Sequence, residues 1–444
     1  MEVLARSKRF RGSLANTRLR AGSTHDSLAL TRGKMATDLK ELVHNVVEAK
    51  SQDLGELSRF VWEHPELALN EVQCHDWLTD FLERRGFNVT RHYLLDTAFK
   101  AEFKAPGGTQ GPCVALLCEY DALPDIGHAC GHNLIAEASI GAALAVSEAM
   151  KNHKHIRGKV VVLGTPAEES RCGKELLIRK GALQGVDAAL MAHPSPSDVL
   201  VIGFAATQQL VIRFKGKSAH AGTSPWEGLS ALDAAVASYV NVSLLRLQLK
   251  PTSRIHGVIT EGGKSPNVIP EETEMCFSVR APCVEELAQL LRKVEACFRA
   301  AAEATGCSLD VEKRLPYMNV LHNVAIAETY RKHAHAFGVS FLDDVEKNLP
   351  PLGGATDCGN VSYRVPAIHP LFAVPAAKGS GNHTRGFAAV ANAADSQPPT
   401  LRVAKVLALT ALDLLTDAKL LREAKREFAA RQLPPEEELR SALP

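Results

Sequence analysis

Residues 118–133 read CEYDALPDIGHACGHN, and the rest of the chain is organised around this stretch. Residues 114–117 before it (VALL) form an apolar run that is typical of a buried parallel strand. In open α/β sheets, ligands and catalytic groups collect at the carboxyl ends of such strands. His128, Cys130 and His132 alternate there, and thiolate with imidazole is a zinc-type ligand set. A buried cysteine beside hydrogen-bonded histidines is the alternative that this segment alone leaves open.

Two further apolar runs end in residues of the same chemical type. The run 159–164 (KVVVLG) is followed by Glu168 and Glu169, and the run 187–192 (DAALMA) is followed by His193. His383, much later in the chain, could add another ligand. A glutamate pair often begins a helix, and a histidine at a strand end is often a hydrogen-bonded core residue. Their coincidence at three strand ends nevertheless favours a metal site.

The order of the motifs CEYDALP, GHACGHN, GTPAEE, MAHP and GNHT resembles the amidohydrolase branch of the two-metal aminoacylase/carboxypeptidase superfamily. In this branch a cysteine replaces a metal-bridging aspartate. The resemblance extends from about residue 39 to about residue 415. Within the branch, the stretches PWEGLSALDAAV and TDCGNVS to IHP are similar to those of dipeptidases that act on basic dipeptides.

The resemblance implies a centre of two divalent ions, expected to be zinc with manganese accepted. Its implied ligands are Cys130 as the bridge, with His132, Glu169, His193 and His383. Glu168 would be the general base that takes a proton from the attacking water and returns it to the leaving amine. Asp121 stands where the family has a carboxylate that orients a ligand histidine; a turn-forming aspartate is the alternative.

The resemblance also implies roles for residues outside the metal centre. His220, in KSAHAG, would reach the site of a partner subunit and stabilise the oxyanion. Asn267 would hold the substrate. Independently of the resemblance, Arg280 ends a predicted strand and could face a substrate carboxylate, with a structural ion pair as the alternative. A basic substrate side chain needs a carboxylate within reach. Asp357, in the glycine-rich segment GGATD, is our candidate if it does not simply cap a helix, and Glu119 is the second choice.

Strand–helix alternation over residues 107–198 predicts an α/β fold, with a mostly parallel sheet covered by helices. From about 200 to 316 the pattern becomes β-α-β-β-α-β, which predicts an inserted α+β ferredoxin-like lid and dimerisation domain. The domain boundaries predicted on this basis are 38–199 with 317–432 for the catalytic domain, 200–316 for the lid, 1–37 for a disordered extension and 433–444 for a tail.

Composition narrows the classes of partner and compartment. The net charge of +1 argues against a general nucleic-acid surface, and no apolar run has the length of a membrane span. Ten cysteines without a spacing framework suit a reducing compartment, so a cytoplasmic location is expected. Residues 1–34 carry eight basic and two acidic residues. A mitochondrial location would follow if they form a transit peptide.

The expected function is hydrolysis of dipeptides with a basic C-terminal residue (Xaa-Arg, Xaa-Lys, Xaa-ornithine or β-alanyl-lysine) by a homodimer. Three alternatives stay open at this point. The same metals would serve an N-acyl-amino-acid or carbamoyl amidohydrolase, the fold would serve a non-catalytic dimeric binding protein, and Cys130 could be the nucleophile of a cysteine hydrolase.

Overall fold

The computed structural model describes residues 37–108, 110–345 and 353–433. The predicted extension and most of the predicted tail therefore lie outside the described residues. Two bodies of secondary structure are visible, each built around its own sheet. Among the described residues, none of the helices has both the length and the apolar character needed to cross a membrane.

The first body holds a six-stranded sheet in the order β1-β2-β4-β3-β5-β11. The strands are Asn88–Arg91 (β1), Phe99–Lys104 (β2), Cys113–Cys118 (β3), Lys159–Gly164 (β4), Ala188–Leu190 (β5) and Ala367–Ile368 (β11). β3 is parallel to β4 and β5, and β5 is parallel to β11, whereas β2 pairs antiparallel with both β1 and β4 near one edge. The prediction of a mostly parallel sheet is confirmed.

Helices cover both faces of this sheet, and alternate side chains of the central strand β3 therefore enter different cores. Val114 and Leu116 belong to a large core, and Ala115 and Leu117 to a smaller one. The helices before the lid are residues 37–49 (α1), Ser51–Glu63 (α2), Val72–Glu83 (α3), His132–Asn152 (α4), Glu168–Arg171 (α5) and Gly173–Arg179 (α6). Those after it are Val324–Ala336 (α9), Leu342–Val345 (α10), Cys358–Ser362 (α11), Arg385–Ala391 (α12), Gln397–Thr416 (α13) and Ala418–Ala430 (α14).

Two expected elements are divided in the structure. Apolar residues at helical spacing over 38–62 predict a single amphipathic helix, and the structure interrupts it with a turn at Lys50. The strand predicted over 187–192 ends at Leu190, and His193–Ser195 (β6) pairs instead with Leu371–Ala373 (β12) in a separate parallel ribbon. This second break turns the chain so that His193 begins a new strand at the sheet edge.

The second body is the antiparallel sheet β10-β7-β9-β8, covered by two helices. Its elements, in chain order, are Ala206–Lys215 (β7), Ala231–Leu245 (α7), Arg254–Glu261 (β8), Glu272–Ala281 (β9), Val284–Thr305 (α8) and Ser308–Lys313 (β10). Numbered within the unit, the strand order is 4-1-3-2 with all neighbours antiparallel. This is the ferredoxin-like arrangement that the β-α-β-β-α-β pattern predicts.

Candidate metal centre

The candidate ligands collect where parallel strands end. β3, β4 and β5 run in the same direction, so the segments that follow them meet at one edge of the sheet. The chain enters α4 through Gly131, whose φ of +80° lies in the left-handed region. A Cβ there would lie 2.6 Å from Cγ of Pro194. Glycine is therefore required for the loop to bring His132 against the segment that carries His193.

One group of ligand atoms comes from Cys130, His132 and His193, whose atoms all lie within 4.8 Å of one another. Sγ of Cys130 is 3.4 Å from Nε2 of His193. Nδ1 of His193 is 2.8 Å from its neighbour's carbonyl oxygen, that of Pro194. Nδ1 must therefore carry the proton, which leaves the lone pair on Nε2. Burial lowers the pKa of His193 to about 4, so the ring is neutral, as a metal ligand must be.

A second group is formed by Cys130, Glu169 and His383. Nε2 of His383 lies 3.4 Å from Oε2 of Glu169. The backbone N–H of His383 donates to the carbonyl of Ala129 at 2.8 Å, which ties this distant loop to the Cys130 segment. The side chain of His383 is 55% exposed, against 8% for Glu169. His383 therefore stands on the open side of the cluster.

Asp121 connects two of the candidate ligands. Nδ1 of His132 lies 2.9 Å from the Asp121 carbonyl oxygen and 3.0 Å from its Oδ1. The other carboxylate oxygen of Asp121 accepts the backbone N–H of Glu169 at 3.0 Å. Because Nδ1 faces only acceptors it carries the proton, and Nε2 is the atom that can bind a metal.

The residues fit divalent ions by a test that does not depend on any resemblance. Glu119 Oε2, His132 Nε2 and Glu169 Oε1 are buried among the described residues without a hydrogen-bond partner. Such atoms are costly to bury unless a cation takes the place of the missing partner. The donor set of thiolate, imidazole and carboxylate suits zinc. Burial also raises the pKa of the Cys130 thiol well above its usual range, so a thiolate there needs a nearby cation.

Glu168 begins α5 and is buried beside the ligand atoms. Burial, followed by the negative charges of Glu119 and Glu169, raises its pKa well above the ordinary glutamate value. The pKa of Glu169 is lowered instead: burial opposes the shift, but contacts with His383 and His132 outweigh it. The adjacent glutamates thus differ in character, one favouring the protonated form and one the charged form.

Two side chains that sequence reasoning missed hold the Glu168 segment. The preceding residue, Ala167, has a φ of +64°, and its N–H donates to Oε1 of buried Glu71 at 2.9 Å. Tyr317 donates its phenolic hydrogen to the Glu168 carbonyl at 2.7 Å and accepts the N–H of Cys172 at 3.1 Å. Glu71 and Tyr317 lie 96 and 149 residues away from their partners, so no local pattern marks them.

Lys174 is a third missed residue, and it contacts both carboxylates considered for the basic substrate side chain. Its Nζ lies 2.5 Å from Oε1 of Glu119 and 2.5 Å from Oδ1 of Asp357. Its backbone N–H donates to Oδ2 of Asp357 at 2.9 Å. All three side chains are buried, and Asp357 stands at the N-cap of α11 without capping it. A substrate cation would have to displace Lys174, and a substrate-reading role for Asp357 stays a prediction.

The lid candidates separate into two places. Nδ1 of His220 accepts the N–H groups of Gly222 and Thr223, and the His220 backbone bridges Val268, next to Asn267. Asn267 lies shortly before the start of β9, whereas Arg280 lies near the end of this strand, roughly 27 Å from the strand's first residue, Glu272. There it donates to the carbonyl of Gly353 at 2.6 Å. His220 and Asn267 are thus neighbours, whereas Arg280 contacts the catalytic body.

Known proteins resemble both the lid and the chain as a whole. A profile described as a peptidase dimerisation domain matches residues 207–306, which is most of the lid. Xaa-Arg dipeptidase from Mus musculus is 44% identical over 400 residues, covering 88% of this chain and 92% of that protein. Xaa-Arg dipeptidase from Homo sapiens is 43% identical over 396 residues, covering 86% and 90%.

A solved structure shows the same fold at lower identity. A dinuclear metal binding peptidase of the M20 family from Bacillus subtilis superposes with a TM-score of 0.63 at 21% identity. The superposition covers 83% of this chain and 99% of that one. The likeness therefore includes both bodies and not the sheet of the catalytic body alone.

Proposed function

Since the chain belongs to the M20 family of metal-dependent peptidases and amidohydrolases, in the group of the Xaa-Arg dipeptidases, we propose that it hydrolyses dipeptides with a basic C-terminal residue. The substrates would be of the Xaa-Arg, Xaa-Lys, Xaa-ornithine or β-alanyl-lysine type. One observation of the structure carries the hydrolytic part. Buried metal-ligand atoms without partners converge beside a buried glutamate whose pKa is raised.

Two divalent ions bound by these atoms would polarise the scissile carbonyl and acidify a water molecule. Cys130, His132, Glu169, His193 and His383 would hold them, with zinc favoured by the thiolate and imidazole donors. Asp121 accepts the hydrogen on Nδ1 of His132, which leaves Nε2 as the ring atom that would bind an ion. The same carboxylate fixes the Glu169 backbone through its N–H.

Glu168 would move the proton. Its carboxylate accepts a proton from the attacking water and then donates it to the leaving amine, and a raised pKa makes the protonated form long-lived enough for the second step. Its place depends on the left-handed turn at Ala167, which Glu71 stabilises, and on the Tyr317 bond to its carbonyl. Glu71 and Tyr317 are therefore positioning residues.

We further propose that the protein is a homodimer in which His220 and Asn267 act on the partner's substrate. The support is an apolar surface on the lid. Val236, Tyr239, Val240 and Leu244 are spaced along one side of α7 and are 38–70% exposed. At the adjoining edge strand β8, Val258 is 58% exposed. An unpaired strand edge beside an apolar helix face is a surface that a second copy can cover symmetrically.

A cytoplasmic location is also part of the proposal. All ten cysteines are free thiols, although several are close to the surface of the lid. Free thiols persist in the reducing cytosol, whereas exported proteins of this size commonly use some of them in disulfides.

The test is a metal assay combined with a substrate panel. The purified protein should contain divalent metal, and a chelator should abolish hydrolysis of β-alanyl-lysine and of Xaa-Arg dipeptides. Neutral dipeptides and N-acyl amino acids should react more slowly, by at least about tenfold in kcat/KM. Equal rates on N-acyl amino acids would assign the protein to the amidohydrolases instead. Hydrolysis that survives metal removal would favour Cys130 as a nucleophile.

A further inference from the structure

We propose that Glu119 is a direct ligand of one of the two ions, on the His132 side of the centre, and that Lys174 holds its carboxylate in position. The inference rests on the proposed two-metal function and adds a ligand to the set implied by the family resemblance. Glu119 directly follows β3, and its side chain has no solvent exposure. Its two oxygens have different surroundings, and this difference carries the argument.

Two buried polar atoms, Oε2 of Glu119 and Nε2 of His132, face each other without a hydrogen bond between them. They lie 3.3 Å apart, and neither has a hydrogen-bond partner among the described residues. Nδ1 of His132 is directed at the acceptors of Asp121, so Nε2 is the ring nitrogen turned toward Glu119. Buried polar atoms without hydrogen bonds are costly, and a cation that binds both atoms would compensate them.

The separation of the two atoms suits a shared ion. Zinc–nitrogen and zinc–oxygen bonds of about 2.0–2.2 Å at a tetrahedral angle place the two ligand atoms about 3.3–3.5 Å apart. Oε1 of Glu169, the third buried atom without a partner, lies 3.7 Å from the same nitrogen. His132 Nε2 is therefore close to two buried carboxylate oxygens that both have no hydrogen-bond partner among the described residues.

The other oxygen of Glu119 explains how the carboxylate is aimed. Oε1 is 2.5 Å from Nζ of Lys174, which is itself fixed by Asp357 at 2.5 Å. The ammonium group therefore occupies one oxygen and turns the other toward His132. Lys174 also balances the charge, since Glu119, Asp357 and Lys174 together add only one negative charge to the centre. Lys174 and Asp357 are in this sense positioning residues for a ligand.

The deciding experiment is a crystal structure of the zinc-loaded wild-type protein with anomalous data at the zinc edge. We expect two ions, with Oε2 of Glu119 about 2.0–2.2 Å from one of them. Both ions present and Oε2 more than about 3 Å from each would overturn the inference while leaving the proposed function intact. A protein that binds no zinc at all would overturn the proposed function itself.

A solution measurement uses a matched pair of variants and does not depend on catalysis. Zinc affinity is measured by competition with a chromophoric chelator for the wild type, Glu119→Gln and Asp357→Asn. Both substitutions remove one buried charge that contacts Lys174, but only the first removes an atom that faces His132. We expect the Kd of one ion to rise at least about 100-fold in Glu119→Gln and no more than about tenfold in Asp357→Asn, because Asp357 acts on the ion only through Lys174 and Glu119. Equal effects in the two variants would contradict the assignment.

Discussion

The catalytic body and the lid depart from the usual distribution of polar and apolar side chains in opposite directions. The catalytic body buries full charges: Glu119, Asp121, Lys174 and Asp357 are at most 1% exposed. In the lid, residues 207–313, the buried polar side chains are uncharged, and the departure is the exposure of Val240 and Leu244 at 49% and 70%. Buried charge is expensive unless ions or fixed partners compensate it, and exposed apolar area is unfavourable unless another surface covers it.

The difference indicates that the catalytic body binds a small molecule in its interior, whereas the lid binds another protein surface on its exterior. The charges of the catalytic body converge inward on a small volume, as chemistry on a bound substrate requires. The apolar residues of the lid point outward from one helix and one edge strand, as association requires. Variants in the catalytic body, in the lid and in both test whether this division of roles holds.

Glu168→Gln should have the largest effect on catalysis. Loss of the proton acceptor should reduce kcat by about 10²–10⁴-fold while metal content stays near that of the wild type. The comparison variant is Glu169→Gln, which removes a proposed ligand and should lower metal content as well. Elemental analysis beside steady-state kinetics distinguishes the two. If Glu168→Gln loses the metal and Glu169→Gln keeps it, the roles of the adjacent glutamates are reversed.

Val240→Glu tests whether catalysis at the candidate metal centre needs the exposed apolar surface of α7 and β8 on the lid. A charge at the centre of this face should convert the proposed dimer to a monomer, which sedimentation velocity measures. It should also greatly reduce kcat, because His220 would then not reach the site of a partner. Ala300→Glu places the same charge on an exposed position of the other lid helix, α8, and should leave the dimer intact. A monomer with full activity would separate the two bodies functionally.

Mixing two inactive variants measures the connection between the bodies directly. His220→Ala and Glu168→Gln, exchanged into mixed dimers, should recover about a quarter of wild-type activity, because half of the dimers are mixed and each has one site with both residues intact. Each variant incubated alone is the control. An absence of recovery in dimers shown to be mixed would place His220 in its own subunit's site or outside catalysis.

The smallest expected effect concerns a buried carboxyl that is not part of the metal centre. Burial raises the pKa of Glu137 to about 8. A carboxyl whose pKa is raised on folding stabilises the folded state fully below its unfolded pKa of about 4.5 and loses that contribution as pH rises toward 8. The free energy of unfolding of Glu137→Gln minus that of the wild type should therefore be about 2–5 kcal/mol larger at pH 8.5 than at pH 5. Urea unfolding of both proteins at the two pH values measures this difference. A pH-independent difference would mean that Glu137 is charged in the fold.

The sequence predicted best what depends on local pattern and residue type. The ferredoxin-like unit follows from the spacing of apolar residues in residues 200–316, and its six elements form in the predicted order. The segments carrying Cys130, Glu169 and His193 meet because parallel strands end at one edge, which alternation of strands and helices already implies. The structure brings these residues together with His383.

The sequence could not predict contacts that depend on packing between distant segments. Glu71, Lys174 and Tyr317 are ordinary residue types in ordinary local contexts. Only the fold brings Glu71 and Tyr317 to the Glu168 segment, and Lys174 to Glu119 and Asp357. The separation of β5 from β6 is of the same kind, because the partner of β6 is β12, which comes after the lid in the chain. The apolar run at 187–192 contains no signal for that change of partner.

The position of His383 after the lid determines when the proposed metal centre can be completed during synthesis of the protein. Cys130, Glu169 and His193 leave the ribosome before any strand of the lid, whereas His383 and the strand that pairs with β6 leave after all of them. A nascent chain that has reached the lid therefore carries the earlier proposed ligands without the last one and without the strand that pairs with β6. Full coordination, and with it the stabilisation that bound metal gives a fold, becomes available only when nearly the whole catalytic body has been translated.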